Sequence, residues 1–315
     1  MSAKSALIVG SFGQDGTLLH ELLSSRGYRL LGIGRGRLRG DDPSWNEPVD
    51  VLDAERVAAC VKAFAPDEIY YLAARHHSSQ EGRPNDAALL RESWGVNVQG
   101  LANFLEAMRV ERPAARLFYA ASSRIFGFPD RLVVDESARV APADVYGVTK
   151  AAGMSLCRIY RSQHGVYAAA GILFNHESPL RGRQFLSRRI VRGAADIKRE
   201  MAERLLVGDL SSEADWGSAS DFVEAMPMIL ALPEPDDFVV ATGVRRSVQN
   251  FVEEAFSALG LDWRMHVEED PELLKRKTPS IVGDASKLTR ATGWKPKTDF
   301  AALVRELVQA ERGPL

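Results

Sequence analysis

The sequence predicts an α/β fold in which a doubly wound parallel sheet, a Rossmann sheet, carries a smaller C-terminal lobe. Three features of the 315 residues lead to this prediction. Short apolar runs alternate with helix-like patterns through the first half of the chain, as expected when crossover helices cover both faces of a parallel sheet. A glycine-rich turn follows the first apolar run. After Pro179 the elements become shorter and turn residues more frequent, which indicates a separate lobe.

The predicted strands are short apolar runs bounded by turn residues, and the predicted helices carry apolar residues at helical spacing. Strands are predicted at residues 6–9, 29–32, 68–72, 116–121 and 167–174, with a third strand expected before Asp50. Helices are predicted at Gln14–Ser25, 54–65, 90–109 and Val145–His164. We expect ligands to bind beyond the C-terminal ends of the strands, in the cleft between the lobes.

Composition and charge argue against several classes of protein. Hydrophobic residues make up 45% and charged residues 26%, as in folded globular proteins, and a net charge of −2 gives no sign of nucleic-acid binding. No apolar run approaches the ~18 residues of a membrane helix and no signal-peptide pattern is present, so a cytoplasmic location is expected by default. Cys60 and Cys157 lie in helix-like patterns and are expected to be buried thiols rather than a disulfide or a metal site.

The glycine-rich turn predicts a dinucleotide-binding site. Gly10, Gly13 and Gly16 follow the first strand and open the first helix. Gly10 permits the tight turn, Gly13 lets the backbone approach a pyrophosphate, and Gly16 lets helix and strand pack closely. The pyrophosphate would then lie at the helix N-terminus, where free N–H groups point outward.

The end of the second strand favours NADP over NAD. A carboxylate there would hold the ribose hydroxyls, whereas an arginine suits a 2′-phosphate. The chain has Arg35 and Arg37 in a basic run, with no acid before Asp41. Guanidinium groups offer bidentate hydrogen bonds to phosphate, so NADP(H) is the expected cofactor. Asp50 and Val51, after the expected third strand, are predicted to contact the adenine edge.

A tyrosine and a lysine predict proton-transfer chemistry at the other end of the cleft. Tyr146 and Lys150 are four residues apart and so share one face of a helix. The ammonium is expected to lower the pKa of the tyrosine, and the lysine can also hold the nicotinamide ribose. Ser122, at the end of the preceding strand, could hydrogen-bond the same substrate oxygen.

With these motifs the chain resembles the extended short-chain dehydrogenases/reductases, and within them the GDP-mannose 4,6-dehydratase family. The resemblance covers about residues 5–310. The segments that carry it are residues 10–16 (GSFGQDG), 66–70 (PDEIY), 171–179 (GILFNHESP), 215–217 (DWG) and 293–296 (GWKP).

The resemblance implies NADP(H) as cofactor, a GDP-sugar as substrate, and Ser122, Tyr146 and Lys150 as the proton-handling set. It also implies that Asn175 contacts the sugar nucleotide and that Arg189 lies near the diphosphate. The remaining expected contacts are His77 for the substrate and Gln14, Asp15, Leu72, Ala73, Ala74 and His176 for the cofactor.

The chain also departs from that family at three places. The family has a glutamate two residues after the catalytic Ser or Thr, and its carboxyl helps to expel the 6-hydroxyl of the sugar as water. Here Arg124 occupies this position, and a guanidinium stays protonated and cannot relay a proton. Arg124 could instead bind a substrate oxygen or form a structural salt bridge. Ala214 replaces an arginine that meets the diphosphate, and residues 275–279 depart from an Arg-Pro segment.

These departures favour reduction of a 4-keto-6-deoxy sugar, delivered as its GDP derivative, because the hydride-handling residues remain while the elimination acid is missing. One alternative is a GDP-mannose 4,6-dehydratase, a lyase, with a relocated acid. Epimerisation with His77 or His176 taking part is another, and a non-enzymatic NADP sensor is a third. The candidate relocated acids are Glu81, Glu136 and Glu177.

The same resemblance yields expectations about domains and assembly. Residues 1–178 are assigned to an NADP-binding domain and residues 179–315 mainly to a nucleotide-sugar-binding lobe, with chain that can cross back between the two. A homodimer is expected to form through the helices near 90–109 and 145–164. A homotetramer would use the basic loop at residues 35–39.

Overall fold

A seven-stranded sheet forms the centre of the computed structural model, which describes residues 3–40, 42–75, 86–273 and 280–312. Its members are β1 (Ser5–Val9), β2 (Arg29–Gly34), β3 (Arg37–Arg39), β4 (Glu68–Tyr71), β5 (Arg116–Ser122), β7 (Tyr167–Leu173) and β11 (Asp237–Val240). The strand order is β11-β7-β5-β4-β1-β2-β3. All neighbouring pairs are parallel except β2 and β3.

Helices connect the parallel strands of the central sheet. Each crossover must bring the chain back to the end of the sheet where the next parallel strand begins, and the connecting helices pack on the sheet faces. The α-helices are α1 (Gln14–Ser25), α2 (Ala54–Phe64), α3 (Asp86–Trp94), α4 (Gly100–Glu111), α5 (Val145–His164), α6 (Leu186–Lys198), α7 (Ala219–Leu230), α8 (Val248–Ser257), α9 (Ser286–Thr292) and α10 (Phe300–Arg312). The predicted doubly wound α/β fold class is confirmed.

Two predicted elements differ from the structure. Residues 42–49, all of them described, form no strand before Asp50; the third strand of this half is instead β3, which turns back antiparallel on β2 through the loop at Arg35. The helix predicted at 90–109 is split by a π-helical turn, Gly95–Gln99, between α3 and α4. This wider turn brings the side chain of Asn97 to a buried position, where it donates to Thr149 Oγ1 at 2.9 Å.

Close packing fixes α5 against the sheet. Asp144 caps the helix by accepting a hydrogen bond from Gly147 N at 2.7 Å. A Cβ at Gly153 would lie 2.2 Å from Tyr119 Oη on β5, so only glycine permits this approach. The helix face that carries Lys150 therefore lies directly beside β5.

Three small sheets lie outside the central sheet, and a second, smaller lobe has its own apolar core. The strands outside the central sheet are β6 (Val133–Val134), β8 (Asn175–Glu177), β9 (Leu205–Val207), β10 (Glu213–Ser218), β12 (Arg245–Ser247), β13 (Val267–Glu269) and β14 (Val282–Gly283). The largest sheet of this lobe has three strands in the order β12-β10-β8. The core of the lobe includes Trp216, Phe251 and Phe256.

The chain passes between the lobes more than once. A single residue, Phe174, separates the end of β7 in the central sheet from the start of β8 in the smaller sheet. Phe174 is buried and its N–H donates to Val240 O at 3.0 Å. Helix α7 and strand β11 then return to the first core, so residue 178 does not end that core.

Cys60 and Cys157 are both buried free thiols. Across the described ranges, no group of three or more His, Cys, Asp or Glu side chains could hold a metal ion. Within the same ranges, no helix combines the length and the apolarity needed to cross a membrane.

Candidate active site

A cleft of about 1710 Å³ lies at the C-terminal ends of β1, β2, β4, β5 and β7, where parallel sheets bind ligands. Of the predicted residues, Arg189 is not among its lining, and His77 lies outside the described residues. The predicted residues that do line it are Gly10, Gly13, Gln14, Asp15, Gly16, Arg35, Arg37, Asp50, Val51, Leu72, Ala73, Ala74, Ser122, Arg124, Tyr146, Lys150, Asn175 and His176.

The glycine-rich turn has the tight geometry that a dinucleotide site requires. Gly10 has a φ of +93°, and a Cβ there would lie 2.7 Å from Ala73 N. A Cβ at Gly16 would lie 2.2 Å from Gly10 O, so α1 packs against the turn only because this residue is glycine. Gly13 begins the helix without a side-chain cap and lines the cleft. The turn and the helix N-terminus therefore fit a pyrophosphate.

Gln14 and Asp15 connect α1 to β8. The carboxylate of Asp15 lies 3.0 Å from His176 Nε2, and His176 Nδ1 lies 2.7 Å from Phe174 O. Gln14 donates to His176 O at 3.1 Å and accepts from Ser178 Oγ at 2.9 Å. Burial opposes both charges, but their mutual attraction prevails: the pKa of Asp15 falls to about 2 and the pKa of His176 rises. With both ring nitrogens engaged, His176 is poorly placed to act as a catalytic base.

Two short segments form the end of the cleft where adenine was predicted to bind. Asp50 Oδ1 accepts Leu52 N at 3.0 Å, so this carboxylate stabilises its own turn as well as lining the cleft. Val51 O accepts Asn103 Nδ2 at 2.8 Å. On the opposite segment, Arg35 and Arg37 are exposed.

Tyr146, Lys150 and Ser122 come together at the catalytic end. Lys150 is 1% exposed and donates from Nζ to Ala120 O at 2.7 Å. Tyr146 shares a hydrogen bond with Ser122. Burial lowers the pKa of Lys150 to about 7 and raises the pKa of Tyr146 to about 12. The net pKa of Tyr146 is therefore raised, because desolvation outweighs the charges around the hydroxyl.

Arg124 forms a salt bridge. Its guanidinium pairs with Asp144, with Nε 3.0 Å from Oδ2 and Nη2 closer still to the same oxygen. The other carboxylate oxygen, Oδ1, accepts Gly147 N. Both groups line the cleft, and their side chains are 28% and 15% exposed. Arg124 thus lines the cleft as a cation that is already paired with a carboxylate.

Arg181 is a cleft cation that sequence analysis missed. Its guanidinium stacks on Phe185 at 3.8 Å from the ring centroid, and its Nε is buried without a hydrogen bond. Its charge lowers the pKa of both Tyr146 and Asp15, although burial is the larger influence on each. In sequence it is one of several arginines after Pro179, and only the fold brings it beside the tyrosine.

Two of the candidate replacement acids, Glu136 and Glu177, are engaged by other groups. Glu136 does not line the cleft, and its Oε1 accepts Val239 N at 2.7 Å. Glu177 lines the cleft but accepts Ser187 Oγ at 2.6 Å and lies 3.5 Å from the guanidinium of Arg181. Glu81 and residues 275–279 are outside the described residues.

Two positions bear on the diphosphate contacts that the resemblance implies. Arg189 Nη2 donates to Leu206 O at 3.4 Å, and Arg189 is not among the residues that line the cleft. Ala214 does line the cleft, and Arg246 stands opposite it in the antiparallel register of β10 and β12.

The chain is similar to known proteins along nearly its whole length. A family model described as GDP-mannose 4,6 dehydratase matches residues 7–307. GDP-mannose 4,6 dehydratase 1 of Arabidopsis thaliana is 34% identical over 98% of this chain and 90% of that protein. The GDP-mannose 4,6-dehydratase of Vibrio cholerae is 29% identical over 98% of this chain and 94% of that protein.

Solved structures share the same fold. RMD from Pseudomonas aeruginosa, complexed with NADPH, superposes with a TM-score of 0.84 at 21% identity, covering 99% of this chain and 100% of that one. UDP-glucose 4-epimerase from Thermus thermophilus, complexed with NAD, has a TM-score of 0.81 at 23% identity, with coverage of 99% and 100%.

Proposed function

The chain belongs to the GDP-mannose 4,6 dehydratase family of nucleotide-sugar-modifying enzymes, and from that premise we propose that it is an NADPH-dependent reductase of a GDP-linked 4-keto-6-deoxy sugar. The observation that carries this proposal is the Arg124–Asp144 pair. Arg124 stands at the position where water loss would require an exchangeable carboxyl. The adjacent carboxylate of Asp144 has one oxygen on Arg124 and the other on Gly147 N. Neither group is available to protonate a leaving hydroxyl.

The residues that would hold the cofactor lie along one side of the cleft. The turn at Gly10, Gly13 and Gly16 would bind the pyrophosphate, and Arg35 and Arg37 would bind the 2′-phosphate. When bound there, NADPH would supply a hydride to the carbonyl carbon of the sugar.

Tyr146 supplies the proton for the carbonyl oxygen. With a pKa raised to about 12 in this structure, its hydroxyl is protonated at neutral pH and can donate. Ser122 would orient the same oxygen. The ammonium of Lys150 lies over the Tyr146 ring, 5.6 Å from its centroid, and would stabilise the tyrosinate left after transfer. The carbonyl thus gains a hydride at carbon and a proton at oxygen, which gives the alcohol.

The decisive experiment compares two substrates. We expect the protein to consume NADPH when a GDP-linked 4-keto-6-deoxy sugar is added. The loss of NADPH absorbance measures this consumption. We expect no 4-keto product from GDP-mannose, detected by its absorbance in alkali. Formation of that product without added NADPH would overturn the proposal.

One observation favours dehydration instead: the curated relatives described above are named as dehydratases. A dehydratase would need an acid other than residue 124. Glu136 and Glu177 are both held by other groups. The GDP-mannose incubation distinguishes this second candidate directly.

A further inference from the structure

Phe12, a residue of the cleft lining, contacts two guanidinium groups. The Cζ atom of Arg37 lies 3.9 Å from the centre of the Phe12 ring, and the Cζ atom of Arg39 lies 4.7 Å from it. Phe12 lies between the first two glycines of the dinucleotide turn and lines the cleft, as does Arg37. One aromatic ring is therefore in contact with two like charges.

Two glycines on β2 make room for this arrangement. In the register of β2 and β3, Gly34 faces Arg37 and Gly32 faces Arg39, so these side chains share one face of the sheet edge. A Cβ at Gly34 would lie 2.3 Å from the Phe12 ring, and a Cβ at Gly32 would lie 2.5 Å from Ser11 Oγ. The turn residues therefore rest directly on the glycines, with the two arginines beside them.

The cluster carries uncompensated positive charge. Among the residues the structure describes, no carboxylate forms an ion pair with Arg37 or Arg39, and Asp41 lies outside that set. Burial lowers the pKa of His20, and the charge of Arg39 lowers it further. Two guanidiniums on one ring repel each other, and a bound anion would relieve the repulsion.

We propose that Phe12 is a positioning residue that holds Arg37 and Arg39 as a paired clamp for the 2′-phosphate of NADP(H), and so determines cofactor selection. The inference rests on the NADP(H) binding in the proposed function and adds Phe12 and Arg39 to it. The negative face of the ring attracts both guanidiniums and fixes their planes before ligand arrives, which reduces the ordering cost of binding. The two arginines then offer several N–H donors to one phosphate, whereas NAD presents only a ribose hydroxyl there.

The test measures binding of NADP⁺ and NAD⁺ to the full-length protein by calorimetry, with no sugar present. We expect Phe12→Leu to weaken NADP⁺ binding about three- to tenfold through the loss of two cation–π contacts. NAD⁺ binding should stay within about twofold of the wild type, since the turn backbone is retained. Phe12→Tyr should restore NADP⁺ affinity.

Two further variants test the same contacts by changing the partners of Phe12 rather than Phe12 alone. Gly34→Ala should displace the ring and reproduce the selective loss of NADP⁺ binding. Phe12→Leu combined with Arg37→Gln should lose less affinity than the sum of the single changes, because both remove one interaction.

Each outcome has a distinct meaning. Equal weakening of NADP⁺ and NAD⁺ by Phe12→Leu would overturn the inference in favour of a turn-folding role, and no effect on either would also overturn it. If the wild-type protein binds NADP⁺ no more tightly than NAD⁺, the cofactor assigned in the proposed function is wrong. Absence of reductase activity leaves this binding measurement unaffected.

Discussion

The guanidinium of Arg124 and the carboxylate of Asp144 form an ion pair that links the end of β5 to the first turn of α5. Asp144 is also the cap of α5, so one carboxylate closes the helix and neutralises the arginine. Tyr146 follows two residues later. The pair therefore stabilises the helix end that carries the tyrosine while it removes a proton donor from this part of the cleft.

Tyr146→Phe should abolish turnover but retain cofactor. Removal of the phenolic proton donor should lower NADPH consumption with a 4-keto nucleotide sugar by about 10²–10⁴-fold. NADP⁺ binding, measured by calorimetry, should be unchanged. Tyr160→Phe, nearer the C-terminus of the same helix, where the hydroxyl donates to Glu106 Oε2 at 3.2 Å, is the matched control and should be fully active. Comparable activity in the two variants would remove Tyr146 from the proposed mechanism.

Two substitutions of Asp144 should distinguish the stability contributed by the helix cap from that contributed by the ion pair with Arg124. Asp144→Asn keeps an oxygen for Gly147 N but loses the charge, whereas Asp144→Ala loses both and should cost about 1–2 kcal/mol of unfolding free energy for the cap alone. Denaturant unfolding should rank wild type above Asn above Ala. Asp53→Ala, at the cap of α2, should lower stability without changing kcat. An Asn variant less stable than Ala would contradict the assignment of the cap.

A carboxyl restored at position 124 should enable water loss. Arg124→Glu alone would place two acids together beside the cap, so the informative variant combines it with Asp144→Asn. We expect this double variant to form a 4-keto product from GDP-mannose, detected in alkali, while the wild type does not. The single Asp144→Asn variant is the control. A stable double variant that still yields no product would show that residue 124 does not decide the reaction.

The rate should depend on the protonation of Lys150. Because burial lowers its pKa to about 7, the ammonium should be lost as pH rises above neutrality in the free enzyme. We expect kcat/KM for reduction to fall above about pH 7, since kcat/KM reports groups of the free enzyme. Lys150→Arg, which stays charged, should be slower but lack this break. A wild-type profile that is level through pH 9 would exclude the role of the ammonium.

The Asp15–His176 pair should stabilise the fold only within a pH window. The raised pKa of His176 gives stabilisation that is complete below its ordinary 6.5 and lost as pH rises through the folded value. The pKa of Asp15, lowered to about 2 from 3.8, gives stabilisation that is present above 3.8 and lost as pH falls towards 2. Wild type and Asp15→Asn should therefore differ most in unfolding free energy between about pH 4 and 6.5. A difference that does not vary with pH would contradict the charged pair.

Local patterns sufficed to predict much of the half of the chain that carries the glycine-rich turn and the Tyr146–Lys150 pair. The glycines at 10, 13 and 16 and the Tyr146–Lys150 spacing are short-range signals, and the structure brings these residues to one cleft. The strand β3 was missed because three residues have no pattern of their own and pair only through the register with β2.

Long-range partners could not be read from the sequence. Asp15 and His176 are 161 residues apart, and no local pattern indicates that they pair. Arg181 and Arg189 are both arginines that follow Pro179, and nothing in the sequence distinguishes them. In the structure Arg181 lines the cleft, whereas Arg189 donates to Leu206 O. The pKa of Tyr146 depends on burial, which spacing alone does not reveal.

The single residue between β7 and β8 limits how the two lobes can move. Leu173 lies opposite Ser122 in the central sheet, and Asn175 lies opposite Trp216 in the smaller one. With buried Phe174 as the whole connection, there is no slack for a hinge at this point. Ser122 and Asn175, the residues proposed to hold the reacting oxygen and to contact the sugar nucleotide, are thus held at a constant spacing, and opening for ligand exchange must come from other parts of the rim.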